Sequence, residues 1–117
     1  MTDERFLWTQ RIRSSRDFSL FRASKARSRG VGFFVVQKAG GAPGGRPRLA
    51  VVTSRKTGGA IRRNALRRAV RELFRHIQWQ LSHDSDWMVV LLPSSQGMAL
   101  ESLQHPLARK MLKMSRS

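Results

Sequence analysis

The sequence predicts a single α+β domain in which a sheet and a long helix share one core. Three short runs of β-branched and aromatic residues have the length of strands, at 31–37, 48–53 and 87–92. A longer pattern with helical spacing, from about 60 to 81, separates the second run from the third. A strand, a helix of this length and a further strand form a βαβ unit. This unit predicts parallel pairing of the two strands, with the helix laid across the sheet.

Length and composition suit one domain that needs no covalent or metal staple. A chain of 117 residues can bury a modest apolar core. Apolar residues make up 40% of it, but no apolar run approaches the roughly 20 residues that cross a bilayer. The first eight residues lack the apolar stretch of a secretory signal, so we expect a soluble, cytoplasmic protein. Cysteine is absent and the three histidines are dispersed, so we expect no structural zinc.

The N-terminal thirty residues contain one short helical pattern. Residues 1–13 mix apolar and basic side chains without a period, and we interpret them as an arm. The polar residues from Ser14 to Asp17 supply a helix N-cap, and Phe18 and Phe21 then predict one or two amphipathic turns. The basic, polar stretch 23–30 is predicted to be a loop.

Two further segments complete the domain. Residues 39–47 contain four of the nine glycines and two of the four prolines, and they predict a loop between two strands. The C-terminal segment 98–117 carries apolar residues at helical spacing. Pro106 should kink this helix or divide it in two, because proline lacks the backbone N–H that a helix interior requires.

The charge of the chain indicates a polyanionic partner. The 23 basic and 7 acidic residues give a formal net charge of +16. Nucleic acid fits this charge because each neutralised phosphate also releases condensed counterions, and an anionic membrane surface is the competing partner. Arginine greatly outnumbers lysine in the sequence. The guanidinium group binds phosphate with two hydrogen bonds and stacks on bases, so the composition favours structured nucleic acid.

The long helix pattern separates an apolar side from a basic side. The apolar side, which should pack on the sheet, consists of Leu66, Ala69, Val70, Leu73, Ile77 and Leu81, with Phe74 at its margin. The broadly opposite sector consists of Asn64, Arg67, Arg68, Arg71 and Arg75, with Arg63 at its boundary and Arg62 near the first turn. An ordinary solvated helix face alternates the signs of its charges. Here Glu72 is the sole acid between positions 55 and 75, which favours an anionic partner.

The segment 54–72 also resembles the signature of the bacterial ribonuclease P protein family. The matching positions, in order and register, are Lys56, Gly58, Arg63-Asn64, Arg67-Arg68 and Arg71-Glu72. Weaker similarity extends to Asp17-Phe18, Phe21, Arg48-Leu49 and Asp86. Two positions depart from the family pattern. Ala65 stands where a third basic residue is usual, and Val36 occupies a strand position that is often aromatic, for which Phe33 or Phe34 would compensate.

The resemblance implies a fold and a function. The fold is a small α/β sandwich, with a mixed sheet of three to four strands and a left-handed βαβ crossover, against the general right-handed preference. The function is that of the protein subunit of ribonuclease P, an endonuclease that removes the 5′ leader of precursor tRNA. In that family the RNA subunit catalyses the cleavage with bound Mg²⁺. The implied partners are therefore ribonuclease P RNA and precursor tRNA, with no obligate protein partner.

Two groups of site residues follow from the resemblance. The residues expected to contact RNA are Arg55, Lys56, Arg62, Arg63, Asn64, Arg67, Arg68, Arg71 and Arg75. Those expected in a cleft for the single-stranded leader are Phe18, Phe21, Phe34 and Val36. Phe18 and Phe21 fit a place in the core equally well. Trp79 and Trp87 are predicted to be core residues.

Other classes of protein remain open from composition alone. A ribosomal or other structured-RNA-binding protein would share the basic helix, and a DNA-binding architectural protein would share the charge. Neither explains the ordered spacing of the motif. A nuclease that used its own side chains would want a cluster of acids. The seven acids are scattered: we predict turn chemistry for Asp84 and Asp86, and an ion pair of Glu72 with Arg68, Arg75 or His76.

Overall fold

The computed structural model of the chain describes residues 5–12 and 15–116. Three helices and four strands form the domain. In chain order they are α1 (Ser15–Phe21), β1 (Ala26–Gly30), β2 (Phe33–Ala39), β3 (Arg48–Val52), α2 (Ala60–Ile77), β4 (Ser85–Leu91) and α3 (Leu100–Arg116). Short 3-10 turns lie at Trp8–Gln10, Arg55–Thr57, Gln78–Gln80 and Pro93–Ser95. The predicted N-cap falls on Ser14 and on the side chains of Ser15 and Asp17, which lie outside the described part of the chain.

The four strands form one mixed sheet in the order β1-β2-β4-β3. The β1–β2 and β2–β4 pairs are antiparallel, whereas β3 and β4 are parallel neighbours. Because α2 connects β3 to β4, these three elements are the predicted βαβ unit. The α+β class, the mixed sheet and the parallel pair are thus confirmed, and the left-handed crossover stays a prediction.

Side chains alternate between the two faces of the sheet, as the pleat of a strand requires. On β2, Phe33 and Val35 contribute to the larger apolar cluster, which α2 and α3 cover. Phe34 and Val36 point to the opposite face and belong to a smaller cluster with Phe21 of α1. We call the side under α2 and α3 the core face and the side under α1 the cleft face.

Helix α2 buries the predicted apolar side against the core face. Its buried residues are Leu66, Ala69, Val70, Phe74 and Ile77. Phe74, placed at the margin of this side by its sequence position, is fully buried because the N-terminal segment also covers it: the Phe6 ring packs edge-on to it, with 5.7 Å between ring centroids. The α-helix ends at Ile77, and the remaining predicted turn to residue 81 is a 3-10 turn.

Helix α3 is continuous, so the alternative that Pro106 divides it is wrong. Pro106 removes one backbone hydrogen bond, but Leu103 and Met111 on either side of it are both buried in the large cluster. In addition, the Gln104 side-chain amide donates to the Ala69 carbonyl oxygen of α2 at 2.9 Å. Tertiary packing therefore keeps both halves in one continuous helix despite the proline.

Strand β1 contradicts the prediction of a loop at 23–30. Its five residues pair with β2, and they are exposed or partly exposed. Strand β1 lies at the edge of the sheet and carries polar or small side chains on both faces, so it lacks the apolar alternation by which strands are recognised in a sequence. Residues 40–47 of the Gly/Pro-rich segment, by contrast, form the predicted loop, and Ala39 is the last residue of β2.

The N-terminal segment 5–12 packs on the domain and is not a detached arm. Gln10 is fully buried, and its side-chain amide donates to the Gln78 Oε1 at 2.8 Å and to the Pro47 carbonyl oxygen at 2.9 Å. The Ile12 N–H donates to the Leu49 carbonyl oxygen of β3 at 2.9 Å. These contacts attach the segment to the edge of β3 and to the end of α2. Among residues 5–12 and 15–116, none of the helices combines the length and apolar character that a membrane crossing needs.

Candidate nucleic-acid interface

A basic groove runs along the exposed side of α2. It has a volume of about 360 Å³ and is lined by Phe6, Arg11, Asn64, Arg67, Arg68, Arg71, Glu72 and Arg75. The structure therefore brings together five of the predicted RNA-contacting residues, and it adds two from the N-terminal segment. The sequence showed basic and aromatic residues in that segment, but it had no period that could place Phe6 and Arg11 beside α2. We call this surface the α2 groove.

Polar contacts within the α2 groove order its side chains. The Asn64 Oδ1 accepts a hydrogen bond from the Arg67 Nη1 at 3.0 Å. At the other end, the Arg75 Nη2 lies 2.5 Å from the Glu72 Oε1, and the His76 Nε2 lies 3.2 Å from the same oxygen. The hydrogen bond from Arg75 holds the pKa of Glu72 below its usual value. Glu72 is thus an ion-pair partner, as predicted. It neutralises positive charge only at the C-terminal end of the groove.

Arg62 has a different environment from the arginines of the groove. Its Nη2 donates to the carbonyl oxygens of Ser95 and Met98, which connect β4 to α3. The side chain therefore ties the first turn of α2 to the loop before α3, and the groove does not include it. Arg63 is partly buried beside it. Arg55 and Lys56 are exposed in the 3-10 turn before α2, outside the groove.

The glycine of the sequence motif has a steric role. Gly58 has a φ of +134°, a conformation that side chains with a Cβ rarely adopt. A Cβ at this position would also lie 2.7 Å from the Arg62 Cγ. The chain therefore turns from β3 into α2 past the Arg62 side chain, and only a residue without a Cβ fits there without strain.

The cleft face brings together the four residues predicted to bind a leader. Phe21 and Val36 are fully buried in the smaller cluster, whereas Phe18 and Phe34 are partly exposed and pack against it. Phe21 and Val36 therefore form the floor and offer no surface on which a base could stack. Phe18 and Phe34 are the two aromatic rings at the rim. Phe33 lies on the core face, so Phe34 is the residue positioned to compensate for Val36.

The two tryptophans differ in environment. Trp87 is fully buried in the larger cluster, as predicted, and its Nε1 donates to the Ser85 Oγ at 2.8 Å. Trp79 is partly exposed, and the prediction that it is a core residue is wrong. The Arg46 guanidinium lies 5.0 Å from the Trp79 ring centroid and forms a cation–π contact with one face of the ring.

Asp86 is buried at one end of the cleft face within a cluster of cations. Its carboxylate accepts two hydrogen bonds from Arg48, at 2.8 and 2.6 Å, and one each from the Lys38 Nζ at 2.7 Å and the Gly41 N–H at 2.8 Å. Burial alone raises the pKa of the Asp86 carboxyl, but the hydrogen bonds from Arg48 and Lys38 outweigh it and hold the pKa below its usual value. Asp86 is therefore a structural anion of the sheet.

Asp84, the nearest acid in sequence, is exposed and acts in a turn. It accepts a hydrogen bond from the Ser82 Oγ at 2.8 Å, and this bond lowers its pKa. Turn chemistry is thus confirmed for Asp84, whereas Asp86 forms the ion cluster of β2, β3 and β4. Within residues 5–12 and 15–116, no group of three or more His, Cys, Asp or Glu residues lies close enough together to hold a metal ion.

Comparison with known proteins identifies the family of this chain. A model of the family described as Ribonuclease P matches residues 6–115, which is nearly the whole sequence. The chain belongs to the ribonuclease P protein family. A match of this extent separates it from the ribosomal and DNA-binding proteins that share its charge. Ribonuclease P is an endoribonuclease of tRNA processing, and the family supplies its protein component.

Individual members of the ribonuclease P family agree with the match. The chain is 29% identical over 106 residues to the ribonuclease P protein component of Shouchella clausii, covering 89% of this chain and 84% of that protein. The ribonuclease P protein of Thermotoga maritima superposes with a TM-score of 0.74 at 29% identity, over 88% of this chain and 96% of that one. The Staphylococcus aureus protein superposes with a TM-score of 0.78 at 24% identity, over 92% and 95% of the two chains. The last comparison supports the fold alone.

Proposed function

We propose that this chain is the protein subunit of a ribonuclease P holoenzyme, in which it binds the catalytic RNA and the 5′ leader of precursor tRNA. The observation that carries the proposal is the presence, on one domain of this family, of a basic groove on α2 and an aromatic rim on the cleft face. The first surface suits a phosphate backbone and the second suits unpaired bases.

The α2 groove supports binding to structured RNA. Its arginines lie on a rigid helix, so several phosphates can be contacted without ordering a flexible segment first. Each contact releases condensed counterions, which makes affinity fall steeply with salt. Arg11 extends the groove away from the helix and widens the surface that a folded RNA can contact. Arg55 and Lys56 continue the positive charge beyond the N-terminus of α2.

The cleft face supports binding to a single strand. Phe18 on α1 and Phe34 on β2 both pack against the buried floor while part of each ring faces solvent. A base stacked on such a ring gains roughly 1–3 kcal/mol whatever its identity, because every base has a π-face. This tolerance suits the leaders of precursor tRNAs, which vary in sequence.

We assign the chemistry of cleavage to the RNA subunit and to Mg²⁺ bound by that RNA. Three acids of the described residues are engaged elsewhere: Glu72 pairs with Arg75, Asp86 pairs with Arg48, and Asp84 bonds Ser82. A fourth, Glu101, is exposed in the first turn of α3. The role of the protein is then to position the RNA and the substrate. By neutralising phosphates, the protein would also lower the Mg²⁺ concentration at which the RNA adopts its active structure.

Reconstitution tests the proposed function. The chain would be combined with a bacterial ribonuclease P RNA, and cleavage of precursor tRNA would be followed over a Mg²⁺ titration. We expect cleavage by the RNA alone at high Mg²⁺ and by the combined particle at clearly lower Mg²⁺. The protein alone, freed of contaminating nuclease, should cut nothing. Cleavage by the protein without RNA, or an unchanged Mg²⁺ requirement in its presence, would contradict the proposal.

A further inference from the structure

We propose that Arg29 and Phe34 form a nucleotide-binding pocket at the edge of the sheet, where the Phe34 ring stacks on a base and Arg29 binds the adjoining phosphate. This inference rests on the proposed function, because it assumes that single-stranded RNA crosses the cleft face. It adds to that function Arg29 of the edge strand β1, a residue that is not part of the sequence motif on α2.

The strand register places Arg29 directly opposite Phe34. Arg29 of β1 pairs with Phe34 of β2, Phe34 pairs with Val90 of β4, and Val90 pairs with Val52 of β3. Residues paired across strands point to the same face, with Cβ atoms about 5 Å apart. These four side chains therefore form one row across the cleft face, with a cation at the outer edge and apolar groups inside it.

Helix α1 leaves this row open and covers the next one. In the covered row, Val36 and Ala50 are buried in the cluster that includes Phe21 of α1, and Met88 between them is partly buried. In the open row, Phe34, Val90 and Val52 all keep part of their surface exposed. The boundary between the rows is thus the limit of α1, and Phe34 is the aromatic residue on the open side of it.

A hollow of about 350 Å³ lies at the outer end of the open row. Its lining consists of Arg27, Ser28, Arg29 and Phe34. The hollow thus offers a flat aromatic surface next to guanidinium groups. A nucleotide presents the complementary pair of groups, a base for the ring and a phosphate for the cation.

The two arginines of the hollow have different roles. The Arg27 guanidinium donates to the carbonyl oxygens of Phe21, Arg22 and Ser24 and so caps the C-terminal end of α1. The Arg29 guanidinium is exposed and has no hydrogen-bond or ion-pair partner within residues 5–12 and 15–116. Arg27 therefore fixes one wall of the hollow, and Arg29 is the cation available to a ligand.

The position of the open row suits a strand of RNA. The opposite end of the row is Val52, the last residue of the other edge strand, β3, and the exposed Arg55 and Lys56 follow three and four residues later. Basic residues therefore follow the row at both ends, and apolar side chains lie between them. Four adjacent strands span roughly 14 Å, since neighbouring strands lie about 4.8 Å apart. An extended single strand that crossed the sheet here would meet cations on both sides and a stacking surface in the middle.

Binding of precursor tRNA to the reconstituted holoenzyme tests the pocket. Affinity would be measured at fixed Mg²⁺ for mature tRNA and for precursors with leaders of increasing length. The wild-type protein should gain affinity as the leader reaches the pocket. In R29A, the affinity for precursors with long leaders should fall roughly tenfold. In F34L it should fall roughly 5- to 150-fold. The affinities of both variants for mature tRNA and for precursors with the shortest leaders should stay unchanged.

Salt dependence and matched variants separate the pocket from general charge. R29A should reduce the log–log salt slope by about 0.7 for long leaders, the value for one phosphate of a single strand, and R29K should restore it. R109A removes the same charge from the exposed side of α3, on the other face of the sheet, and should leave the leader-dependent gain intact. An equal loss in R109A and R29A would show an effect of net charge and would overturn the pocket.

The outcomes also distinguish this inference from the proposed function. If the wild-type holoenzyme shows no preference for longer leaders, the proposed leader cleft itself fails. If the wild type shows the preference and both R29A and F34L retain it in full, the pocket fails while the proposed function stands. Thermal melting of F34L, which keeps an apolar side chain against the floor, confirms that the compared proteins are equally folded.

Discussion

Arg48 and Asp86 face each other across the parallel β3–β4 pair, and the Arg48 guanidinium donates two hydrogen bonds to the Asp86 carboxylate, at 2.8 and 2.6 Å. Lys38 of β2 binds the same carboxylate from the other side at 2.7 Å. Asp86 has no exposed surface. One anion therefore connects three of the four strands at the end of the cleft face, and it balances two cations that would otherwise repel each other.

We predict that Asp86→Asn lowers the free energy of unfolding by about 3–5 kcal/mol, because it leaves two partly buried cations without their anion. Urea denaturation of the free protein measures the change. Asp84→Asn is the matched control: that side chain is exposed and accepts a hydrogen bond from the Ser82 hydroxyl, so its effect should be small beside that of Asp86→Asn. Equal effects of the two substitutions would show that the cluster does not stabilise the sheet.

The same cluster predicts a dependence of stability on pH. The pKa of Asp86 is lower in the folded protein than its usual value of 3.8. A group with a depressed folded-state pKa contributes stability above its unfolded pKa, and this contribution is lost as the pH falls towards the folded-state value. The stability difference between the wild type and Asp86→Asn should therefore be constant near neutrality and shrink below about pH 4. If the stability difference between the two proteins grew as the pH fell, the pKa of Asp86 would be raised in the folded protein and not lowered.

Two kinds of arginine on α2 should behave differently towards RNA. Arg67→Ala and Arg71→Ala remove cations of the α2 groove, and each should flatten the log–log salt dependence of RNA binding by about one contact. Arg62→Ala should leave the slope unchanged and lower the thermal stability, because Arg62 binds the carbonyls of Ser95 and Met98. If Arg62→Ala changed the slope as the other two do, the groove would extend to the first turn of the helix.

Substitutions of Phe18 and Phe21 should affect leader binding and folding differently. Phe21→Ala removes a fully buried ring and should cost roughly 3–5 kcal/mol of stability. Phe18→Ala removes a partly exposed ring, so the protein should remain folded while its holoenzyme loses about 1–3 kcal/mol of binding to precursor tRNA and almost none to mature tRNA. Melting curves and affinities for the two RNAs, measured together, check both statements. A folded Phe18→Ala protein with an unchanged preference for the precursor would remove Phe18 from the site.

Adjacent glycines before α2 provide a further test. Gly58→Ala places a Cβ against Arg62 at a positive φ, and we expect a loss of about 1–3 kcal/mol in stability. Gly59→Ala has an ordinary φ of −72° and no atom within 4 Å of the added Cβ, so its cost should stay below about 1 kcal/mol. Chemical denaturation of the two variants compares them directly. A larger loss for Gly59→Ala would mean that the turn is not constrained at Gly58.

The sequence predicted the parts of the fold whose apolar residues are periodic or lie in one continuous run. The apolar side of α2 followed from its helical spacing. Strands β2, β3 and β4 followed from runs of β-branched and aromatic residues, and the βαβ connection followed from the order of these elements. Strand β1 could not be found in this way, because Arg27 and Arg29 alternate with residues that are also exposed or partly exposed. The alternative that Pro106 divides α3 was wrong because burial of the helix on both sides of the proline offsets the lost hydrogen bond, and burial is a tertiary property.

The candidate site was predictable in composition but not in arrangement. The basic residues of α2 share a face because they are spaced at the period of an α-helix, which can be read from the sequence. Whether one of them binds RNA or the protein itself depends on partners that are distant in sequence: Arg62 reaches Ser95 and Met98, more than thirty positions away. The same holds for Phe6 and Arg11, which reach α2 only because buried Gln10 fixes their segment to the domain.

The sheet has two edges, and each is protected from other copies of the chain by a different means. An open strand edge exposes N–H and C=O groups that can template aggregation. On β3 the N-terminal segment occupies that position, with Arg11 paired to Leu49. On β1 no strand of the described residues pairs with the outer edge, which is flanked by the exposed Arg27, Arg29 and Lys25, whose charges repel a second copy. Solubility of the free protein thus depends on its charge as much as on its packing. High salt, which screens that repulsion, should promote self-association before it unfolds the domain.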